Sequence, residues 1–402
     1  MTKTVRNSAA AAEASFHKHY AAIWGAERWH NSLYPALAER TRQAALVNQY
    51  APRAAFEASI EEACGLQQLE QISFPSSSSP TADSQPSDRI VCFARTRSTD
   101  DGSGTPAAAT QHAAIPQPQY SGSSGTSQRL MTHWNLDAAS ALVAHLLDVK
   151  PGDNVLDLCA APGGKSVALL QSMWPQLHAD KPLTTTTAKA GHLRSNEFDK
   201  ARFRRLADNL RAYLPGELLA LKHVASLNVD STGPFAPQQL SVGSAGYDKV
   251  LVDAPCSSER HIIHAHLAAK AGGRVAPEMT SWRPGSSKQL AKTQHDLLMT
   301  GLRCVRLGGS VLYATCSIEP TENDGVIGKV LASLEKEVKK GGKWAVKVGF
   351  NEGAGDVGLE ESLERIWAER TKYGWIVLPD HPDGGKWGPL FFAMLTKVEV
   401  AR

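Results

Sequence analysis

The sequence predicts an α/β fold of the Rossmann type, in which helices cover both faces of a mostly parallel sheet behind a small helical N-terminal region. First, beyond residue 128, short apolar runs typical of strands alternate with segments of helical periodicity. Second, a strand at 154–158 runs directly into a glycine-rich turn and a helix. Third, Cys256 and Cys316 each follow a predicted strand closely. These patterns favour a sheet whose strand ends border one binding crevice.

The composition is that of an ordinary globular protein. Of the 402 residues, 42% are hydrophobic and 21% are charged, which excludes a wholly disordered or membrane-embedded chain. No apolar run is long enough to span a bilayer, so we expect no membrane partner. The 43 basic and 40 acidic residues leave a net charge of +3, which is compatible with nucleic acid but too small to indicate it.

The cysteines are scattered and form no Cys-x-x-Cys pair, which excludes a zinc ribbon, and we expect no metal ion. A long chain with few cysteines and no apolar signal peptide is expected to keep them as free thiols inside the cell. They are Cys64, Cys92, Cys159, Cys256, Cys304 and Cys316.

The chain divides into three parts. Residues 1–72 form a helical region, because aromatic residues recur at helical spacing between 10 and 62. Residues 73–127 are a Ser-, Pro- and Gly-rich low-complexity insertion around one isolated strand at 89–97. Residues 128–402 form the main domain.

The first half of that domain begins with an apolar, helix-periodic segment at 136–147 and a Lys-Pro-Gly-Asp turn at 150–153. The strand at 154–158 and a helix at 165–173 follow, and then a Pro- and Thr-rich insertion at 181–187. The pattern next predicts a strand ending near 196–197, an amphipathic helix at 199–214 and a strand at 223–228.

The second half continues the alternation. A strand at 248–253 precedes a long helix at 288–306, and two glycines lead from that helix into a strand at 310–315. A helix at 321–339 follows. Apolar runs near 344–348, 374–378 and 391–397 then predict the strands that complete the sheet.

The turn at 156–166 reads Leu-Asp-Leu-Cys-Ala-Ala-Pro-Gly-Gly-Lys-Ser, with small residues where a backbone approaches a ligand at a helix N-terminus. It therefore predicts a site for a nucleotide-like ligand. A phosphate-binding P-loop is excluded because it needs glycine where Cys159 stands, and no G-x-G-x-x-G fingerprint is present. The predicted binding residues in this turn are Cys159, Ala160, Ala161, Pro162, Gly163, Gly164 and Lys165.

Two acids at later strand ends extend this predicted site. Glu197 ends the second strand, where an acid accepts hydrogen bonds from ribose hydroxyls, and Asp199 is the alternative. Asp230 follows the third strand, where it could bind an adenine amino group or simply hold a turn.

The two cysteines provide the strongest indication of chemistry. Cys256 follows Asp253-Ala-Pro, and Cys316 lies between Thr315 and Ser317. Because the carboxyl ends of parallel strands meet at one edge, we expect both thiols in the crevice of the glycine-rich turn. A helix N-terminus after Cys316 would lower the pKa of its thiol.

The motifs Asp-Ala-Pro-Cys, Thr-Cys-Ser and Cys-Ala-Ala-Pro-Gly-Gly-Lys, in this context, resemble those of the NSUN (Sun-domain, Fmu) family of RNA cytosine-5 methyltransferases. The similarity covers about residues 128–400, and the N-terminal helices resemble those of the mitochondrial members of the family. The resemblance implies a class I methyltransferase fold that uses S-adenosyl-L-methionine to make 5-methylcytosine in RNA.

The chemistry of cytosine fits these residues. Carbon 5 attacks a methyl sulfonium only after a thiolate has added to carbon 6, so one cysteine is essential. Chemistry alone does not distinguish the two thiols, since a Pro-Cys cysteine is the nucleophile in DNA cytosine methyltransferases. The resemblance implies that Cys316 is the nucleophile and that Cys256 helps release the product. Asp253 would hold the cytosine base and would also border the cofactor. Lys165 would contact either the base or the cofactor.

RNA is the expected partner, and mitochondrial small-subunit ribosomal RNA is the expected substrate. The alternatives are a transfer RNA, or a catalytically idle fold that serves as an RNA-binding ribosome assembly factor. The basic helix at 199–214 would contact phosphates or remain solvated, and Trp387, Phe391 and Phe392 would stack on a base or pack against the sheet. Because no further RNA-binding domain is apparent, a targeting protein partner is possible, and no DNA substrate is expected.

The first residues carry Lys3 and Arg6 and no acid before Glu13, a bias typical of a mitochondrial transit segment. We therefore predict a mitochondrial protein, with the nucleus or nucleolus as the alternative.

Overall fold

A computed structural model provides the structure of the chain. It describes residues 3–75, 90–96, 114–121, 129–180, 191–241, 243, 245–350 and 357–400. Most of the predicted low-complexity insertion and all of the predicted insertion at 181–187 lie outside the described residues.

The N-terminal part combines helices with short strands. In chain order its elements are α1 (Lys3–Trp24), α2 (Ala26–Arg28), α3 (Tyr34–Ala38), β1 (Ala44–Val47), α4 (Arg53–Cys64), β2 (Leu69–Gln71), β3 (Cys92–Arg95) and β4 (His133–Leu136). A π-helical turn at Trp29–Leu33 joins α2 to α3.

The four strands form an antiparallel sheet in the order β2-β3-β1-β4. The prediction of helices alone before residue 72 was therefore incomplete, and the strand predicted at 89–97 is not isolated. Every residue of β1 is buried, and a short apolar run without alternation does not distinguish a strand from a helix.

Aromatic side chains attach α1 to the rest of the molecule. Phe16 and Tyr20 are buried, and the ring of Phe16 lies 5.0 Å from that of Trp282. Both residues belong to one hydrophobic cluster with Val250 and Tyr313, which lie in the main sheet. The N-terminal helix and the main domain therefore share a core.

The main domain contains every helix and strand predicted between 136 and 397, with shifted ends. In chain order its elements are α5 (Ala138–Leu146), β5 (Asn154–Asp157), α6 (Gly164–Met173), β6 (His192–Asn196), α7 (Lys200–Tyr213), α8 (Gly216–Ala220), β7 (Val224–Leu227), α9 (Ala236–Gln239), β8 (Tyr247–Asp253), α10 (Glu259–Ala271), α11 (Pro277–Ser281), α12 (Ser287–Cys304), β9 (Val305–Thr315), α13 (Asp324–Lys339), β10 (Trp344–Val348), α14 (Val357–Ile366), β11 (Glu369–Arg370), β12 (Trp375–Val377) and β13 (Leu390–Glu399).

The main sheet is mixed rather than mostly parallel. Its strand order is β11-β12-β13-β9-β8-β5-β6-β7, and β10 also pairs with β13. Strands β5 to β9 are parallel, as the alternating pattern predicted, whereas β13 runs antiparallel to β9, β10 and β12. Apolar runs locate strands but carry no information on their direction, which explains this error.

The sheet is covered on both faces, as predicted. Successive residues of a strand enter opposite cores: Val155 and Phe392 belong to one cluster, and Leu156 and Phe391 to the other. This arrangement buries the middle of the sheet and leaves the carboxyl ends of the parallel strands free to border a cavity.

Candidate active site

A cavity of about 550 Å³ lies at the carboxyl ends of the parallel strands. Among its lining residues are six that the sequence placed in the site: Cys159, Ala161, Lys165, Asp253, Cys256 and Cys316. Six other predicted site residues are not among those that line it: Ala160, Pro162, Gly163, Gly164, Glu197 and Asp230. The structure thus brings both cysteines and the glycine-rich turn to one crevice, as the strand-end argument predicted.

The thiols of Cys256 and Cys316 are hydrogen-bonded, with 2.8 Å between their sulfur atoms. The hydrogen bond from Cys256 lowers the pKa of Cys316, helped by a hydrogen bond from Ser258 and opposed by burial. The same hydrogen bond, together with burial, raises the pKa of Cys256 well above its ordinary value. Cys316 is therefore the more readily ionised thiol of the pair, and Cys256 is the thiol that keeps its proton more tightly.

The cause of the lowered pKa differs from the one predicted. A helix N-terminus was expected close after Cys316, but α13 begins only at Asp324. The intervening segment is irregular and is held by side chains: Asn323 donates to the carbonyl of Ser317 at 2.9 Å and accepts from Thr315 at 2.6 Å. Thiol and hydroxyl hydrogen bonds, rather than a helix dipole, stabilise the thiolate.

Lys165 and Asp253 form an ion pair inside the cavity. The Lys165 Nζ atom lies 2.7 Å from Asp253 Oδ2. Burial opposes the charge of Lys165, but the neighbouring carboxylate of Asp253 outweighs burial and raises the pKa of the lysine. The lysine therefore stays charged and fixes the orientation of a carboxylate that borders the same cavity as Cys316.

Glycine is required at the two positions of the turn for different reasons: the backbone conformation at Gly163 and a close side chain at Gly164. Gly163 has a φ of +119°, a conformation that side chains with a Cβ rarely adopt, and it caps α6. A Cβ on Gly164 would lie 2.7 Å from Nε1 of Trp134, so this indole covers the turn directly. Trp134 was not predicted, because nothing in the sequence relates β4 to this turn.

Asp157 ends β5 beneath the turn and is completely buried. Its Oδ2 atom accepts a hydrogen bond from Ser166 at 2.6 Å, and Ser166 also contacts the hydroxyl of Ser195 at 2.9 Å. Burial raises the pKa of Asp157 to about 7. Its Oδ1 atom is buried and has no hydrogen-bond partner among the described residues.

The acids at later strand ends occupy different environments. Glu197 is buried, accepts from the backbone of Asp199 at 2.9 Å and lies 3.4 Å from the guanidinium of Arg202. Asp199 caps α7 by accepting from the backbone of Arg202. Asp230 accepts twice from Thr232, so the turn role considered for it is observed.

Two buried glutamates that the sequence did not reveal hold the cysteine-bearing loops. Glu259 accepts from the backbone of Ile318 at 3.0 Å and from the hydroxyls of Ser257 and Tyr20, the latter at 2.9 Å. It therefore joins the loop after β8, the loop after β9 and α1. The only sequence signal was its position soon after Cys256.

Glu322 supports the first of these loops. Its Oε2 atom accepts from the backbone of Ser257 at 3.0 Å and from Gln294 at 2.7 Å, and Gln294 also donates to the carbonyl of Pro255. Burial raises the pKa of Glu322 to about 7. The backbone on either side of Cys256 is thus fixed from α12 and from the segment before α13.

The aromatic residues near the C-terminal strand pack within the protein. Phe391 and Phe392 are fully buried on opposite faces of the sheet, so neither is available to stack on a base. Trp387 is also buried, with the guanidinium carbon of Arg42 4.5 Å from its ring centre.

Some basic side chains of α7 bind other groups of the protein, and others are exposed to solvent. Arg202 lines the cavity and donates to the carbonyl of Ala161 at 2.9 Å, and Arg211 pairs with Asp208. Three others are exposed: Lys200, Arg204 and Arg205.

Within the described ranges, no cluster of three or more His, Cys, Asp or Glu side chains is arranged to hold a metal ion. No helix in the described part of the chain is both long enough and apolar enough to cross a membrane.

The Rossmann-like sheet, with the glycine-rich turn at its first parallel strand and a cavity at its strand ends, defines a class I methyltransferase fold. Two solved structures from Pyrococcus horikoshii share it. A methyltransferase homolog protein has a TM-score of 0.54 at 18% identity, covering 98% of this chain and 99% of that one. NSun6 with SFG has a TM-score of 0.53 at 15% identity, with coverage of 96% and 98%. The predicted fold class is confirmed.

The chain belongs to the 16S rRNA methyltransferase RsmB/F family, which matches residues 144–370. The mitochondrial tRNA (cytosine(34)-C(5))-methyltransferase of Mus musculus is 32% identical over 271 residues, 67% of this chain and 64% of that protein. The 5-cytosine rRNA methyltransferase NSUN4 of Xenopus laevis is 33% identical over 205 residues, 50% of this chain and 43% of that protein. The chain thus spans less than two thirds of the length of these relatives. The family predicted from the sequence motifs is confirmed.

Proposed function

We propose that this protein is an S-adenosyl-L-methionine-dependent RNA (cytosine-5) methyltransferase. The observation that carries the proposal is the thiol pair: Cys316, with a lowered pKa, borders the same cavity as the ion pair of Lys165 and Asp253. Family membership supports the same reaction.

The residues around the glycine-rich turn fit the proposed cofactor. The turn brings Cys159, Ala161 and Lys165 to the cavity. Two acids near the turn can accept further hydrogen bonds: the Oδ1 atom of Asp157 is unpartnered among the described residues, and the ion pair of Glu197 with Arg202 is long. We assign Glu197 to the ribose of the cofactor, Asp230 to its adenine and Asp253 to its methionine end. When bound, the cofactor supplies an electrophilic methyl group.

The chain's own residues would carry out the remaining chemistry. The Cys316 thiolate adds to carbon 6 of cytosine, and the electron pair moves into the ring, where the negative charge is stabilised by protonation at nitrogen 3. Asp253, held by Lys165, positions the amino group and ring nitrogen. Carbon 5 then accepts the methyl group. A solvent base then takes the carbon 5 proton, the electron pair of that C–H bond forms the carbon 5–carbon 6 double bond, and the bond between carbon 6 and sulfur breaks. The Cys316 thiolate is restored, and nitrogen 3 returns its proton to solvent. We assign assistance of this release to Cys256, whose thiol donates a hydrogen bond to the departing sulfur of Cys316.

Mitochondrial RNA is the substrate class that we propose. Small-subunit ribosomal RNA is the first candidate, because NSUN4 proteins are named for rRNA and match this chain. A transfer RNA is the second candidate, because mitochondrial tRNA (cytosine(34)-C(5))-methyltransferases of mouse and zebrafish are 32% and 34% identical to this chain. The basic bias of the first residues and these relatives support a mitochondrial location.

Covalent trapping tests the reaction and identifies the RNA together. Cys256→Ala protein is incubated with S-adenosyl-L-methionine and total cellular RNA and run on a denaturing gel, and any attached RNA is sequenced. We expect an adduct that persists in Cys256→Ala/Cys64→Ala and disappears in Cys256→Ala/Cys316→Ala. Cys64 is the matched control because it lies in α4, away from the cavity.

Absence of an adduct, with binding of S-adenosyl-L-methionine retained in calorimetry, would contradict the proposed reaction and favour the idle assembly factor. The wild-type protein, tested in parallel for methyl transfer to the same RNA, shows whether the variant or the reaction is at fault.

A further inference from the structure

A second, smaller cavity of about 230 Å³ lies next to the first. Thr41 and His264 line both cavities, so the second cavity is the immediate neighbour of the one that Cys316 lines. The second cavity lies between the segment after α3, strand β3 and helix α10.

The lining of this second cavity is basic. No Asp or Glu is among its described lining residues. Its basic lining residues are Arg40, Arg42, Arg95 and His264. We call these four residues, with Thr41, the arginine groove.

The arginines of the groove differ in how their charge is used. Arg42 is buried and paired with Glu70 at 3.1 Å, so its charge is compensated. Arg95 donates to the neutral amide oxygen of Gln68 at 2.5 Å, and no carboxylate of the described chain pairs with it. Arg40 is exposed, and no ion pair with a described residue engages it. Two guanidinium charges are therefore available for an anionic ligand.

The position of the groove relative to the cysteines is fixed. Helix α10 begins directly after the loop that carries Cys256. Its His264 donates to the carbonyls of Leu37 and Glu39 at 2.9 Å, and its Arg260 donates to Glu39 at 3.2 Å. The backbone just before Arg40 is thus bound to the same helix that borders the proposed catalytic thiols.

We propose that the arginine groove binds the sugar-phosphate backbone of single-stranded RNA next to the target cytidine. This inference rests on the proposed function, which requires a cytosine at Cys316 and hence flanking nucleotides that leave the first cavity. A cation-lined depression that shares Thr41 and His264 with that cavity, and has no carboxylate along its described lining, complements those phosphates. Guanidinium groups bind phosphate in a forked geometry.

Binding of fluorescein-labelled oligocytidylate to the full chain, followed by anisotropy at several salt concentrations, tests the groove. We expect the double variant Arg40→Glu/Arg95→Glu to bind about tenfold or more weakly than wild type. The slope of log affinity against log salt should shrink by about 1.4, since each lost phosphate contact on single strands contributes about 0.7. Affinity for S-adenosyl-L-methionine should stay unchanged.

Arg274→Glu is the matched control. Arg274 is exposed and follows the opposite end of α10, so its substitution makes the charge change of one groove substitution at a place away from the groove. We expect it to bind the oligonucleotide as wild type does.

The outcomes separate this proposal from the function on which it rests. If wild type forms the covalent adduct and the double variant binds oligocytidylate equally well, the groove assignment is wrong and the function stands. If wild type neither binds RNA nor transfers a methyl group, both are wrong. If a polyglutamate peptide binds with the same arginine dependence and oligocytidylate does not, the groove is instead a site for an acidic protein.

Discussion

The pKa values of Cys316 and Cys256 shift in opposite directions because the two thiols are hydrogen-bonded to each other. Lowering the pKa of a thiol increases the fraction that is thiolate at neutral pH, and the reactivity of the thiol falls as the pH falls through that pKa. We therefore predict that iodoacetamide modifies Cys316 faster than Cys256 at neutral pH, as measured by mass spectrometry of the two peptides.

The Cys256→Ala variant provides the control for that prediction, because it removes the donor that lowers the pKa of Cys316. The alkylation profile of Cys316 should then move to higher pH. An unchanged profile would contradict the role of the thiol hydrogen bond.

Asp157 gives a pH dependence of stability. Its folded-state pKa of about 7 lies above the ordinary value of 3.8, so the protonated form stabilises the fold at low pH. That contribution is lost as the pH rises from about 4 through about 7, by at most about 1.4 kcal/mol per pH unit. Asp157→Asn, which stays neutral, should lose less stability over this range in urea unfolding. Asp208→Asn, at an exposed position, should follow the wild-type curve.

For individual residues, the sequence predicted the reactive groups of the site better than the buried residues that hold those groups in place. Cys256, Cys316 and Asp253 could be placed together because parallel strands end at one edge. Glu259 could not, because its partner Tyr20 comes from a helix far away in the sequence, and burial of an acid depends on such distant contacts.

At the scale of elements, α1 contacts the loops that carry the cysteines. Tyr20 donates to buried Glu259, which in turn holds the backbone after Cys316. We predict that Tyr20→Phe lowers the free energy of unfolding by about 2 kcal/mol, the usual value for a hydrogen bond to a charged group. It should also slow alkylation of Cys316, because the loop loses one support.

Tyr34→Phe is the matched control for Tyr20→Phe. Tyr34 belongs to the same aromatic cluster, and its hydroxyl makes no hydrogen bond with any described residue. Equal effects of the two substitutions on thiol reactivity would show that α1 acts only through general stability.

The sequence also predicted elements unevenly. Every helix and strand predicted in the main domain is present because each carries a clear period, and most of their ends shifted by only a few residues. Strand β1 and helix α10 were missed: the first is a short, wholly buried apolar run, and the second has histidines on several sides. In both cases distant contacts, rather than local pattern, select the structure.

At the scale of the whole molecule, the N-terminal helix and the main sheet share one hydrophobic cluster. Phe16 of α1 is fully buried within this cluster, and its ring packs against the ring of Trp282. We predict that Phe16→Ala lowers the free energy of unfolding by about 3 to 5 kcal/mol and leaves one cooperative transition in urea.

Phe235→Ala is the comparison for this substitution, because Phe235 is 69% exposed and should change stability by less than about 0.5 kcal/mol. Separate transitions in far-ultraviolet circular dichroism and tryptophan fluorescence would contradict a shared core.

The position of β13 affects the order in which the chain can fold. Although it comes after all the other strands in the sequence, it lies inside the main sheet, between β9 and β12, and also pairs with β10. During synthesis on a ribosome, the edge of β9 that pairs with β13 therefore stays unpaired until β13 has been synthesised. Such non-local pairing makes folding slow, and an open strand edge invites pairing with other chains. A nascent form of this protein is thus a natural client for a chaperone until its last strand is inserted.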